Sequence, residues 1–318
     1  MSAPETIGVD LGGTKVLVGV VGPGREVLYS DRELSGGQDA EQLIETLVRE
    51  VREALDARPN ALAVGLGIPC TIDRMRGVAI TAVNLPIINV PIRERLQAEL
   101  PVPVSIDNDA NCAALAEHRF GAARGTSNAV MLTIGTGIGG GLIIRGELYR
   151  GAHGAASEPG HIVIDFDGPP CQGNCPNRGC LETFASGVAL AREGRAAAER
   201  APDSALGRTL AEAGEIDGTT VTEAANGGDE AALAVVEEAG RRLGAGLASL
   251  ANIFEPEVIV IGGGVGKALG ERLIDPAIEE LRWRALPPMN AVPVQLAELG
   301  PEAGMVGAAE MARLELEV

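Results

Sequence analysis

The stretch Ile7-Gly8-Val9-Asp10-Leu11-Gly12-Gly13-Thr14-Lys15-Val16-Leu17-Val18-Gly19-Val20-Val21 sets one carboxylate at the mouth of a glycine turn between two apolar runs. Runs rich in Val, Ile and Leu on either side of a Gly-Gly turn predict a β-hairpin. Gly12 and Gly13 offer bare backbone N–H groups, and Thr14 adds a hydroxyl near Asp10. That is equipment for approaching a phosphate chain and orienting a magnesium ion through its water.

The strand-glycine-strand order narrows the reading. A dinucleotide fingerprint needs strand, glycines and then helix, and a P-loop needs Gly-x-x-x-x-Gly-Lys-Ser/Thr; neither pattern is met. A lone Gly-Gly turn is common, yet the device recurs. Ala129–Ile134 is a second apolar strand, Gly135-Thr136-Gly137-Ile138-Gly139-Gly140-Gly141 a second glycine turn, and Leu142-Ile143-Ile144 its return strand. Two such hairpins imply two related α/β halves.

Outward from the first hairpin, a third strand is expected around Val27-Leu28-Tyr29. Leu43, Leu47, Val51 and Leu55, with Ile44 and Val48 alongside, form the stripe of an amphipathic helix. An apolar strand over 61–68 stops at Pro69, a short helix covers 91–100, and a strand over 102–106 runs into Asp107-Asn108-Asp109 at the start of a helix over 110–117. In the second half a helix over 231–252, with Gly240 and Gly244 for close approach, feeds the strand Val258-Ile259-Val260-Ile261 and then Gly262-Gly263-Gly264. A helix over 304–314 closes the pattern. At 318 residues, two domains with a cleft between them are expected.

The formal net charge of -18 and the lack of any basic run argue against nucleic-acid and anionic-membrane partners and leave small polar substrates. No apolar stretch of about eighteen residues occurs, and Met1–Glu5 carries no basic-apolar leader, so a cytoplasmic protein is expected. Five cysteines, three of them clustered, suit a reducing compartment better than a disulfide framework. Cys70 and Cys112 read as buried small hydrophobes. Lys15 and Lys267 are the only lysines, a compositional bias with little functional content.

The cysteine cluster is Cys171, Cys175 and Cys180, with His161 shortly before it. One imidazole and three thiolates complete a closed tetrahedral zinc shell with no position for water, which makes the metal structural and places catalysis elsewhere. Glu158 and Glu182 bracket the cluster, are not needed by the metal, and read as ligand-holding residues. Asn108 and Asp109 at a helix start are accounted for as ordinary caps. Asp107 and Asp109 are also two carboxylates at a strand end, where α/β sheets bind ligands, and one of them would take a proton from a sugar hydroxyl. Gly262-Gly263-Gly264 is either a strand-to-helix turn or a place where a flat ligand passes the backbone. His118 and His153 lack metal-ligand spacing and read as packing or surface residues.

Together these motifs resemble those of the ROK sugar kinases, the group with bacterial glucokinases, fructokinases and N-acetylhexosamine kinases, over nearly the whole chain. Asp10–Lys15 is similar to the first phosphate motif, Gly65-Leu66-Gly67-Ile68-Pro69 to the sugar-side loop, and Asn84-Leu85-Pro86 to the sugar-contacting turn. Asn108-Asp109-Ala110-Asn111 resembles the catalytic segment, Thr133–Gly141 the second phosphate motif, Glu158–Glu182 the zinc and sugar signature, and Ile253–Gly264 the adenosine side. Leu299–Ala308 is similar to the approach to the last helix.

The resemblance implies a two-domain α/β fold of the actin-like/hexokinase-like (ribonuclease H-like) ATPase type that closes on sugar. Its smaller domain would be 1–120, joined by the C-terminal helix of 301–318, and its larger domain 121–300 with the zinc loop. It implies an ATP-dependent hexose kinase, most like a glucokinase, using ATP with Mg2+, holding one structural Zn2+, and forming a homodimer. Asp109 would be the general base; Gly67, Asn84, Asn108, Asp109, Glu158, His161 and Glu182 would bind the sugar. His161 would also ligate zinc with Cys171, Cys175 and Cys180. Asp10, Gly12, Gly13, Thr14, Lys15, Thr136, Gly137 and Gly263 would face the nucleotide.

Three departures bear on the substrate. Three residues separate Cys171 from Cys175, with Pro176 following, where the family usually has one residue and a glycine. Pro159 and Cys70 stand on the sugar side where an aliphatic or aromatic residue and a glycine are common. Fructose, mannose, N-acetylmannosamine and N-acetylglucosamine are therefore the alternative acceptors, and polyphosphate the alternative donor. A sugar-responsive repressor, which in the family adds a DNA-binding helix-turn-helix in front, is disfavoured by the negative charge and by the few residues before the first strand. A zinc-supported interaction module without catalysis is disfavoured by Asp109 and both hairpins.

Overall fold

A computed structural model describes residues 4–82 and 85–316, so Asn84 lies outside the described residues. The chain forms two compact units. The first holds the chain up to Gly125, Gly141–Ser157 and the part from Pro301 onward; the second holds Thr126–Gly140 and Glu158–Gly300. Gly141–Ser157, read from sequence as part of 121–300, is thus grouped with the first unit.

In the first unit, β1 (Thr6–Leu11), β2 (Lys15–Val21) and β3 (Val27–Leu34) form an antiparallel meander, the hairpin expected from the opening stretch. Helix α1 (Ala40–Ala57) starts on a capping box between Asp39 and Gln42 and buries Leu43, Ile44, Leu47, Val48 and Val51 of the predicted stripe, with Leu55 half-buried at its end. Strand β4 (Val64–Ile68) follows. Then β5 (Cys70–Asp73), β6 (Val78–Ala82) and β7 (Ile88–Val90) make a separate antiparallel sheet that the sequence pattern does not announce. Helix α2 (Ile92–Glu99), β8 (Val104–Asn108) and α3 (Asp109–Phe120) complete this part. The main sheet has order β3-β2-β1-β4-β8, with β1, β4 and β8 mutually parallel.

The second sheet has order β11-β10-β9-β12-β13. It is built from β9 (Ala129–Ile134), β10 (Ile138–Ile144), β11 (Glu147–Leu148), β12 (Val258–Gly262) and β13 (Val294–Leu296), and the chain leaves the second unit at Gly141, within β10. Between β11 and β12 lie the cysteine loop and α4 (Glu182–Ala185), α5 (Gly187–Arg200), α6 (Ala205–Ala213), α7 (Gly218–Asn226) and α8 (Glu230–Phe254). Helices α9 (Gly263–Leu269) and α10 (Glu271–Arg284) follow β12, and α10 packs on α8 where Gly240 and Gly244 bring the backbones close.

Helix α11 (Ala303–Leu316) returns to the first unit and lies on the backbones of β1 and β4. The approach depends on missing side chains: a Cβ on Gly65 would come 1.8 Å from the Ala308 carbonyl oxygen. Among the described residues no helix is long and apolar enough to cross a membrane.

Candidate functional site

In the first unit the strand register lines up three positions. Asp10 of β1 pairs with Gly67 of β4, and Gly67 pairs with Asp107 of β8. The row lies at the carboxyl ends of parallel strands, where open α/β sheets bind ligands. The glycine turn beside it is closed by the Gly12 N–H on the Lys15 carbonyl at 2.8 Å. A Cβ on Gly67 would stand 3.4 Å from the Asp109 Cα, so β4 and the start of α3 are in contact.

Asn108 does cap α3: its side-chain oxygen accepts the N–H groups of Ala110 at 2.9 Å and Asn111 at 3.2 Å. Its amide nitrogen reaches the Cys70 carbonyl only at 3.5 Å. Asp109, the first residue of α3, has its carboxyl pushed up by burial to about 6. Asp10 rises to about 7, from burial first and the charge of Asp109 second. Two desolvated carboxylates that repel one another leave negative charge which a magnesium ion would satisfy, so the residues present fit that group.

Asp107 is different. It is 1% exposed and fully engaged: by the Arg150 Nε at 2.5 Å, the Asn108 N–H at 2.8 Å and the Asn111 amide at 2.9 Å. Of the two carboxylates that the sequence leaves open as a base, Asp107 is tied down and Asp109 carries the raised affinity for protons.

In the second unit, the ligand atoms of His161, Cys171, Cys175 and Cys180 all lie within 4.8 Å of one another. The His161 Nδ1 is 3.5 Å from the Cys171 Sγ, and the Cys175 and Cys180 sulfurs are 3.9 Å apart. A tetrahedral zinc shell has edges of about 3.6 Å between N and S and about 3.8 Å between two S, so the donor set fits. The wider spacing of Cys171 and Cys175 is taken up by a turn, in which the Cys175 N–H meets the Gln172 carbonyl at 3.3 Å. Burial raises the thiols of Cys171 and Cys180, so a metal would displace protons there.

Glu182 opens α4 against this cluster. Its Oε1 accepts the Cys171 thiol at 3.2 Å, and its Oε2 accepts the Ile138 N–H at 3.3 Å, so it links the cysteine loop to the second glycine hairpin. Glu158 precedes a short 3-10 turn, Pro159–His161, whose His161 N–H meets the Glu158 carbonyl at 3.1 Å. The hairpin itself is closed by the Gly135 N–H on the Gly137 carbonyl at 2.9 Å. Gly263, at φ +82°, lies on the end of β9, and the register Gly262–Thr133 brings it beside the turn that carries Thr136 and Gly137. The strand-to-helix reading of these glycines is the one realised locally.

The sequence pattern that defines the ROK family matches residues 6–315. The chain belongs to the ROK family. A glucokinase of Halalkalibacterium halodurans is 37% identical over 317 residues, covering 96% of this chain and 94% of the relative. A crystal structure of a ROK family glucokinase from Streptomyces griseus, in complex with glucose and AMPPNP, is 36% identical with a TM-score of 0.86, covering 98% of this chain and 99% of that one. A xylose repressor of Caldicellulosiruptor bescii is 31% identical over 311 residues, 96% of this chain and 77% of the repressor. The fold of this ROK protein is accordingly the hexokinase-like α/β ATPase fold. Two residues that sequence reasoning missed, Arg74 and Arg150, face Asp107; an isolated arginine in a loop gives no signal of its partner.

Proposed function

We propose that this ROK protein is an ATP-dependent glucokinase, converting glucose and ATP to glucose 6-phosphate and ADP. The observation that carries the reading is full-length likeness to a ROK glucokinase crystallised with glucose and AMPPNP, at 36% identity and a TM-score of 0.86. Asp109 accepts the proton of the attacking hydroxyl as that oxygen bonds to the γ-phosphorus, and the bond to the bridging oxygen breaks to release ADP. A carboxylate near 6 is ionised at neutral pH yet basic enough to help. Gly67, Asn84, Asn108, Glu158, His161 and Glu182 are the sugar-holding set. Asp10, Gly12, Gly13, Thr14 and Lys15 meet the phosphates, with Thr136, Gly137 and Gly263 on the nucleotide from the second hairpin. Magnesium bound with ATP supplies charge neutralisation, and the protein's task is mostly positioning. His161, Cys171, Cys175 and Cys180 hold one structural zinc, and the active form is a cytoplasmic homodimer.

The test is Asp109→Asn. Turnover falls by about two to four orders of magnitude while calorimetry still detects glucose binding. Full activity in that variant sinks the mechanism. Likeness to the xylose repressor favours a second reading, a sugar-responsive regulator, against which stands the net charge of -18. Tight sequence-specific DNA binding in a low-salt gel shift would select it.

A further inference from the structure

Asp107 is the penultimate residue of β8, with both carboxylate oxygens in use. Its Oδ1 holds the corner that leads to Asp109: the Asn108 N–H at 2.8 Å and the Asn111 amide at 2.9 Å. Its Oδ2 is held by two arginines from elsewhere in the first unit, Arg150 with Nε at 2.5 Å and Arg74 with Nε at 3.6 Å. Arg150 follows β11, in a segment that folds onto the β5–β6 turn. There the Arg74 N–H donates to the His153 carbonyl at 3.3 Å, and a Cβ on Gly154 would stand 2.6 Å from the Arg74 Cβ. Arg74 in turn pairs with Glu315 of α11, which also accepts the Ser105 hydroxyl of β8.

A buried ion pair is a poor stabilising device, because desolvation offsets most of the attraction. What this pair fixes is geometry. Without Arg150, a carboxylate that is 1% exposed keeps only Arg74 at 3.6 Å on its Oδ2, and the under-compensated buried charge shifts toward other donors. That shift weakens its hold on the Asn108 N–H, and Asn108 is the residue whose own oxygen caps α3 in front of Asp109. Misplacing a catalytic group by about 1 Å lowers rates on the order of a hundredfold.

We propose that Arg150 is a positioning residue for phosphoryl transfer, acting through Asp107 on the turn that presents Asn108 and Asp109. The inference rests on the glucokinase reading. It is tested on the full chain with Arg150→Ala, Arg150→Lys, Asp107→Asn and the double variant Asp107→Asn/Arg150→Ala. The measurements are kcat, KM for glucose and for ATP, and amide hydrogen exchange over 107–112. Arg150→Ala lowers kcat/KM for glucose by about ten- to a hundredfold, changes KM for ATP by less than about twofold, and speeds exchange at the corner. Lysine restores part of the loss, since it returns the charge without the planar fork. The double variant is no worse than the poorer single one, because both remove the same link. Wild-type kcat/KM and exchange in Arg150→Ala, or losses that multiply in the double variant, overturn the proposal. Should Arg150→Ala not fold, Asp107→Asn reads the same corner. Absence of glucose phosphorylation by the wild-type chain would instead remove the glucokinase reading, and exchange at 107–112 would then decide the clamp alone.

Discussion

Gly304 leaves the place of its missing side chain to the Asp10 carboxyl: a Cβ there would stand 2.6 Å from the Asp10 Cγ. The first turn of α11 and the end of β1 therefore meet as backbone against carboxylate. Gly304→Ala pushes that carboxyl aside and is expected to lower kcat by about ten- to a hundredfold, with a raised requirement for magnesium and little change in glucose affinity. A magnesium titration of the variant checks this; an unchanged half-saturation point contradicts the place given to Asp10.

The pH dependence follows from Asp109 near 6 and Asp10 near 7, which titrate as an interacting pair. The working base is the ionised form, so kcat/KM for glucose falls about tenfold per pH unit on the acid side of a limb between about 6 and about 7. Stability runs the other way. Both folded values lie above the ordinary 3.8, so the stability these groups contribute is complete below that value and is lost as pH rises through about 6 to 7. Thermal melts across that range should therefore show Asp109→Asn losing less stability than the wild-type chain, and parallel curves would contradict it.

The metal reading gives a compositional test. Elemental analysis should find one zinc per chain, and Cys180→Ala, which removes a fully buried thiol, should lower both zinc content and glucose affinity. A chelator should lower the melting temperature of the wild-type chain and leave that of the variant nearly unmoved. Wild-type zinc content in Cys180→Ala would count against the cluster.

Much of this was legible in the sequence, for local reasons. The glycine hairpins at Gly12 and Gly135 announce themselves because β-branched runs flank them, and α1 because Leu43, Leu47 and Val51 recur at helical spacing. The cysteine cluster stands out against a composition poor in cysteine. The sheet of β5, β6 and β7 was not legible: its strands are short, and the turn Arg74-Met75-Arg76-Gly77 interrupts any alternation. Neither was the distinction between Asp107 and Asp109, two carboxylates alike in sequence. It is set by Arg150, far along the chain, and such a pairing is a tertiary fact. Glu182, which the sequence places as a bracket of the cluster that the metal does not need, accepts the Cys171 thiol, a contact that spacing along the chain does not reveal.

The most direct measurement is the initial rate of phosphoryl transfer from magnesium-ATP to glucose, mannose, fructose, N-acetylglucosamine and N-acetylmannosamine, with polyphosphate as a second donor. The account predicts that glucose with ATP has the highest kcat/KM and that the product is glucose 6-phosphate. No transfer to any of these sugars by folded, zinc-loaded protein would contradict it.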